Sequence, residues 1–124
     1  VPGSVEAVRL LETSPPARLI APDLVLVELL NAGWKAHRAE AITAAQFEGI
    51  GQLATGLFSQ LVPAAALLQA ALRWCSLLDH PAYDCLYLAL AEREHTTLIT
   101  EDQRLLQKLR AVMPGNPIAR ALRP

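Results

Sequence analysis

Three carboxylates stand in settings that ordinary surface acids do not share. Glu28 interrupts the run Leu24-Val25-Leu26-Val27-Glu28-Leu29-Leu30, where all six neighbours are apolar. Asp84 is the sole charge in Pro81-Ala82-Tyr83-Asp84-Cys85-Leu86-Tyr87-Leu88-Ala89-Leu90. Asp102 follows the most strand-like stretch of the chain, Thr96-Thr97-Leu98-Ile99, and precedes a helical pattern. Each has a plain explanation taken singly. Glu28 can face outward from an amphipathic helix, and Asp84 suits the positive end of a helix dipole. Asp102 can cap a helix, or sit in its first turn behind a Thr100–Gln103 capping box. Taken together they admit another. In an open α/β sheet, functional groups collect outside the carboxyl ends of the strands. Asp102 lies just past such an end, and Glu28 and Asp84 fall about a turn into helices that come after a strand or turn. Three converging carboxylates without a basic partner repel one another, so their meeting calls for a divalent cation. Hard oxygen ligands suit Mg²⁺ or Mn²⁺, which accept phosphate oxygens, and the resulting chemistry is hydrolysis of a phosphodiester.

Other chemistries are excluded. Gly49, Gly51 and Gly56 lie in a helical stretch without the Lys-Ser/Thr ending of a phosphate loop, and no Gly-x-Ser-x-Gly elbow is present. His37, His80 and His95 are isolated near helix ends. That position favours a charge partner or a solvent-facing role over metal ligation, and argues against a Ser-His-Asp triad. Cys75 and Cys85 are too few for a disulfide framework and lack the close pairing of a zinc knuckle. They read as small core residues in a reducing compartment.

The elements that must position these groups can be read from local signals. Ser4 can cap a short helix through Leu10 and Leu11, which Pro15-Pro16 ends. Arg18-Leu19-Ile20 is a short strand candidate. Pro22 and Asp23 then suit the first turn of a helix reaching about Arg38, with Leu26, Leu29, Leu30 and Gly33 on or near one stripe. Thr43-Ala44-Ala45-Gln46 predicts a capping box, opening a helix that fades around Gly56. Gln60-Leu61-Val62 is a second strand candidate, closed by Pro63. Helices run from about Ala64 to Leu78 and, after Asp79-His80-Pro81, through to about Glu94. In the second of these, Tyr83 and Tyr87 flank Asp84, so both rings are expected to be buried with their hydroxyls bonded. A basic helix with Arg104, Lys108 and Arg110 comes next, then the turn Pro114-Gly115-Asn116-Pro117 and a short strand from Ile118. Three or four strands among six helices imply an α/β layout with a buried parallel sheet.

Composition agrees with one helix-rich domain. The 124 residues include 21 Ala and 23 Leu, strong helix formers, while aromatics are only 5%. Eleven Lys+Arg against twelve Asp+Glu leave a net charge of −1, which excludes both a basic nucleic-acid-coating arm and an acidic disordered tail. No apolar run approaches the ~20 residues of a membrane span, and no leader is expected, so a soluble, cytoplasmic protein is expected.

Three segments carry a resemblance. Ile20-Ala21-Pro22-Asp23-Leu24 with Glu28-Leu29-Leu30-Asn31-Ala32, His80-Pro81-Ala82-Tyr83-Asp84-Cys85-Leu86-Tyr87-Leu88-Ala89-Leu90-Ala91-Glu92, and Leu98-Ile99-Thr100-Glu101-Asp102-Gln103-Arg104-Leu105-Leu106 are similar to the PIN-domain ribonucleases, and especially to VapC-type toxins. Order and spacing agree: 56 positions separate Glu28 from Asp84, and 18 separate Asp84 from Asp102. The resemblance implies a PIN-like three-layer α/β fold, a short parallel sheet flanked by helices, as a single domain over residues 1–124. It implies that Glu28, Asp84 and Asp102 hold a catalytic Mg²⁺ or Mn²⁺, with Thr100 and Asn31 in support. It also implies an RNA substrate, an antitoxin partner that blocks the site, and a homodimer.

One departure stands out. The family opens with a central strand ending in an Asp, shortly before a Pro-Gly-Ser-like stretch. Here Val1-Pro2-Gly3-Ser4 resembles the stretch just after that strand. Removing a central strand would leave buried N–H and C=O groups unpaired, so the strand and its Asp are expected to precede Val1. The leading function is therefore a metal-dependent endoribonuclease, with Arg104, Lys108, Arg110, Arg120 and Arg123 guiding RNA phosphates. Two alternatives stay open: a catalytically inactive PIN-like protein-binding module, and a PIN nuclease that acts without an antitoxin.

Overall fold

The computed structural model describes residues 9–11 and 19–121. Their elements run β1 (Arg9–Leu11), β2 (Ile20–Pro22), α1 (Leu24–Arg38), α2 (Ala44–Leu53) with a 3₁₀ turn over Ala54–Leu57, β3 (Gln60–Val62), α3 (Ala64–Leu78), α4 (Ala82–Arg93), β4 (Leu98–Thr100), α5 (Gln103–Val112) and β5 (Ala119–Ala121). The strands form two short sheets. In one, β4 lies between β1, antiparallel with Leu10 opposite Ile99, and β5, parallel with Ile99 opposite Arg120. In the other, β2 and β3 run parallel with Ala21 opposite Leu61.

The centre of the molecule is α4. A helix that is apolar all round has no solvent face to offer and must be buried. Asp84 to Ala91 are accordingly all buried, packed on α3 and against β1, β2 and β4. Leu67, Ala71, Trp74 and Leu78 supply the inner stripe of α3, and Leu105 and Leu109 that of α5. Burial of this kind contributes about 25 cal/mol for each Å² of apolar surface removed from water. A carboxylate in the first turn of such a helix is carried inward with it. At the other side of the fold, α1 and α2 approach closely because Gly33 has no side chain: a Cβ there would lie 2.7 Å from Ile50 Cδ1.

Local chemistry sets several boundaries where the sequence indicated them. The Thr43 hydroxyl accepts from Gln46 N at 3.1 Å, and the Gln46 side chain accepts from Thr43 N at 2.8 Å, closing the capping box. Asp79 ends α3 in the left-handed region, φ 51°, which Asp tolerates better than most residues.

Other boundaries differ. Leu10 and Leu11 are strand, not helix, because β1 is defined by its pairing with β4. That pairing is antiparallel, so the sheet is mixed. Pro22 is the last residue of β2 rather than a first-turn helix residue, and the strand expected at 18–20 sits further along. Asp23 has no cap bond to its own helix, and its Oδ1 accepts instead from Ala64 N, 3.0 Å away, at the start of α3. Five strands and five α-helices are present among the described residues, against the three or four strands and six helices expected. The expectations for Ser4, Pro15-Pro16, Arg18 and Arg123 lie outside the described residues.

Candidate metal centre

Asp102 is held by two backbone interactions. Its own N–H donates to Thr100 Oγ1 at 3.0 Å, and its Oδ1 accepts from Leu105 N at 3.1 Å, capping α5. The capping box with Gln103 is not used; Asp102 itself is the cap. With Oδ1 so engaged, Oδ2 turns the other way and lies 3.5 Å from His80 Nε2. Thr100 is fully buried, so this geometry rests on the rigid end of β4.

Asp84 reaches the same point from α4. Its Oδ2 is 2.8 Å from His80 Nε2, and the residue is 6% exposed. One ligand atom each of His80, Asp84 and Asp102 falls within 4.8 Å of the others. Two of the three sequence-predicted carboxylates are therefore together, at the carboxyl end of β4 and the N-terminal turn of α4. Glu28 is outside that three-residue group. Its Oε1 accepts from the Tyr87 hydroxyl at 2.6 Å, and Tyr87 lies three residues beyond Asp84 on α4. Asn31 is on the exposed surface of α1. The tyrosine expectation splits: Tyr87 is 1% exposed and bonded, whereas Tyr83 is 60% exposed. Tyr83 and Asp84 share the first turn of α4 but project about 100° apart, Asp84 inward and Tyr83 toward solvent.

Sequence reasoning missed His80. It is buried rather than solvent-facing, because the turn between α3 and α4 folds it over the first turn of α4. The available signal was its four-residue spacing from Asp84, which Pro81 disguised. Lys108 of α5 braces the turn: its ammonium donates to the Asp79 carbonyl and lies 3.2 Å from His80 Nδ1. Cys85, beside Asp84, is no ligand candidate. Burial above all, then its hydrogen bond with Cys75 and the charges of Cys75 and Asp84, pushes its thiol up to about 12. Arg104, Arg110 and Arg120 are exposed, whereas Lys108 is committed to the turn.

The donor set can be tested against a cation directly. Around an ion with ligands at about 2.1 Å, adjacent ligand atoms sit about 3.0 Å apart and opposite ones about 4.2 Å. The ligand atoms of Asp84 and Asp102 lie within 4.8 Å of each other, close to the span of such a shell. Two carboxylates supply the charge and the hard oxygens that Mg²⁺ or Mn²⁺ requires, so the residues fit.

A family model of the PIN domain matches residues 2–111, most of the chain. The chain belongs to the PIN-domain family. PIN domains are nuclease domains, typically dependent on divalent metal, so the coarse chemistry agrees with the donor set. No curated protein matches this PIN domain significantly. No helix among its described residues is long and apolar enough to cross a membrane.

Proposed function

We propose that this PIN domain is a Mg²⁺- or Mn²⁺-dependent endoribonuclease and the toxin of a VapC-type toxin–antitoxin pair. The observation that carries the reading is the meeting of Asp84 and Asp102, two acids 18 positions apart, with their Oδ2 atoms 2.8 and 3.5 Å from the same His80 Nε2 and within one small cluster. Asp84 and Asp102 would hold the cation, and Glu28, whose Oε1 accepts from the Tyr87 hydroxyl, is the proposed third carboxylate. Thr100 keeps Asp102 in place through its backbone N–H. Held by these carboxylates, a divalent cation would supply Lewis-acid activation of water and charge neutralisation for phosphodiester hydrolysis. Exposed Arg104, Arg110 and Arg120 draw RNA phosphates toward the site without reading sequence. The chain forms a single PIN domain over residues 1–124.

The antitoxin and a second copy of the chain are the proposed protein partners. Exposed apolar side chains support both: Val27, Leu30 and Trp34 lie along one face of α1, and Leu68 and Leu72 along one face of α3. The test is single-turnover cleavage of a structured RNA by the protein. Cleavage is expected with Mg²⁺ or Mn²⁺ and lost in excess EDTA. Asp84→Asn should lose at least about 100-fold, since even residues that only orient ligands cost 10–100-fold. Asp79→Asn, at an exposed left-handed position that Asn accepts, should cleave normally. Equal cleavage by wild type and Asp84→Asn, or cleavage in EDTA, removes the mechanism and leaves a binding-only module.

A further inference from the structure

The histidine in the cluster poses a choice of ligand chemistry. An imidazole beside two carboxylates would make a mixed nitrogen–oxygen site, and imidazole favours Zn²⁺, Fe²⁺ and Ni²⁺ over Mg²⁺. Whether His80 can ligate depends on which ring nitrogen holds the proton. A neutral imidazole has one donor and one acceptor nitrogen, and a lysine ammonium has donors only. Lys108 Nζ lies 3.2 Å from His80 Nδ1, so Nδ1 accepts. The proton then sits on Nε2, which donates to Asp84 Oδ2 at 2.8 Å and faces Asp102 Oδ2 at 3.5 Å. A protonated Nε2 has no lone pair to give. Lys108 cannot swing away freely, because its ammonium also donates to the Asp79 carbonyl.

We propose that Lys108 determines the metal preference of this centre: it locks His80 in the Nε2–H form, which keeps imidazole out of coordination and leaves an all-oxygen site. The inference rests on the metal-site reading of Asp84 and Asp102 and deepens it. His80 is a positioning residue that holds one oxygen of Asp84. Lys108 is the residue that forbids it any other role. Without the ammonium, a proton can move to Nδ1, and the Nε2 lone pair then joins two carboxylate oxygens as a ligand for borderline metals.

The experiment reads coordination rather than turnover. Mn²⁺ is titrated into the whole chain and the spin-echo modulation of directly bound ¹⁴N is recorded, with Zn²⁺ and Mn²⁺ affinities measured in parallel. Wild type and Lys108→Arg, which keeps a donor-only cation, should show no bound ¹⁴N. Lys108→Met should show it, and its preference for Zn²⁺ over Mn²⁺ should rise at least tenfold. Adding His80→Gln to Lys108→Met should abolish both changes. Bound ¹⁴N in the wild type overturns the proposal while leaving the metal site standing, and needs no variant to fold. An unchanged Zn²⁺/Mn²⁺ ratio in Lys108→Met overturns it as well. Mn²⁺ binding that Asp84→Asn leaves untouched overturns the metal-site reading itself, and this proposal with it.

Discussion

Replacing Asp84 by Asn separates a carboxylate that folding needs from one that a cation needs. The ligand atoms of Asp84 and Asp102 lie within 4.8 Å of each other. Two like charges at that distance repel by about 3.5 kcal/mol at an effective dielectric of 20. The Asp102 side chain is 24% exposed, and water reduces the repulsion to roughly 1–2 kcal/mol. Against that relief, Asn accepts from His80 without a charge, which forfeits about 1 kcal/mol of a charge-assisted bond. The two effects nearly cancel. Without cation, Asp84→Asn should melt within about 3 °C of wild type, taking about 4 °C per kcal/mol for a domain of this size. The cation breaks the symmetry. At a hundredfold excess over its Kd, a ligand bound only by the native state adds about 2.7 kcal/mol, or roughly 10 °C here. Thermal melts in EDTA and in saturating Mn²⁺ read both quantities on the same samples. Wild type should rise by about 10 °C and Asp84→Asn by less than about 2 °C. An equal rise in the two proteins would refute the reasoning, because the stabilising ion would then be held elsewhere.

Contacts around this centre give two further outcomes. Tyr87→Phe removes the hydroxyl that donates to Glu28 at 2.6 Å and should cost about 1.5–3 kcal/mol in urea unfolding, as bonds to charged groups do. A cycle with Glu28→Gln should show coupling above about 0.5 kcal/mol, and none would mean the pair is incidental. Cys85 gives a pH dependence: its thiol is raised from the ordinary 9.0 to about 12 by burial first, then by Cys75 and Asp84. Between those values the folded chain binds more protons than the unfolded one, so stability falls as pH rises. Its slope is at most about 1.4 kcal/mol per unit. Guanidinium midpoints from pH 8 to 10.5 should show a shallower decline for Cys85→Ala than for wild type, and matching slopes would exclude Cys85 as the source.

The features legible in the sequence divide from the rest along the line between local and distant causes. The Thr43–Gln46 box, the breaks at Pro63 and Pro81 and the turn at Asp79 are settled within a few residues, and the structure has them where expected. Leu10 and Leu11 suit helix or strand equally, and β1 exists only because β4 pairs with it across the fold. Tyr83 and Tyr87 could not be told apart for a different reason. A helix buried on nearly all sides carries no amphipathic stripe, so nothing local marks which ring stays outside. His80 and Lys108 are 28 positions apart, and only the packing of α5 against the α3–α4 turn gives the imidazole its orientation. Asp84 stood out in the sequence because an isolated charge in an apolar run is costly unless something specific receives it, and the structure has it buried beside His80. Asp102 shows how such a signal can have two sound explanations at once. Its Oδ1 caps α5, which is the structural reading, and its Oδ2 faces His80 and Asp84, which is the functional one. The cap is what aims the second oxygen, so the proposed role of Asp102 rests on its structural one.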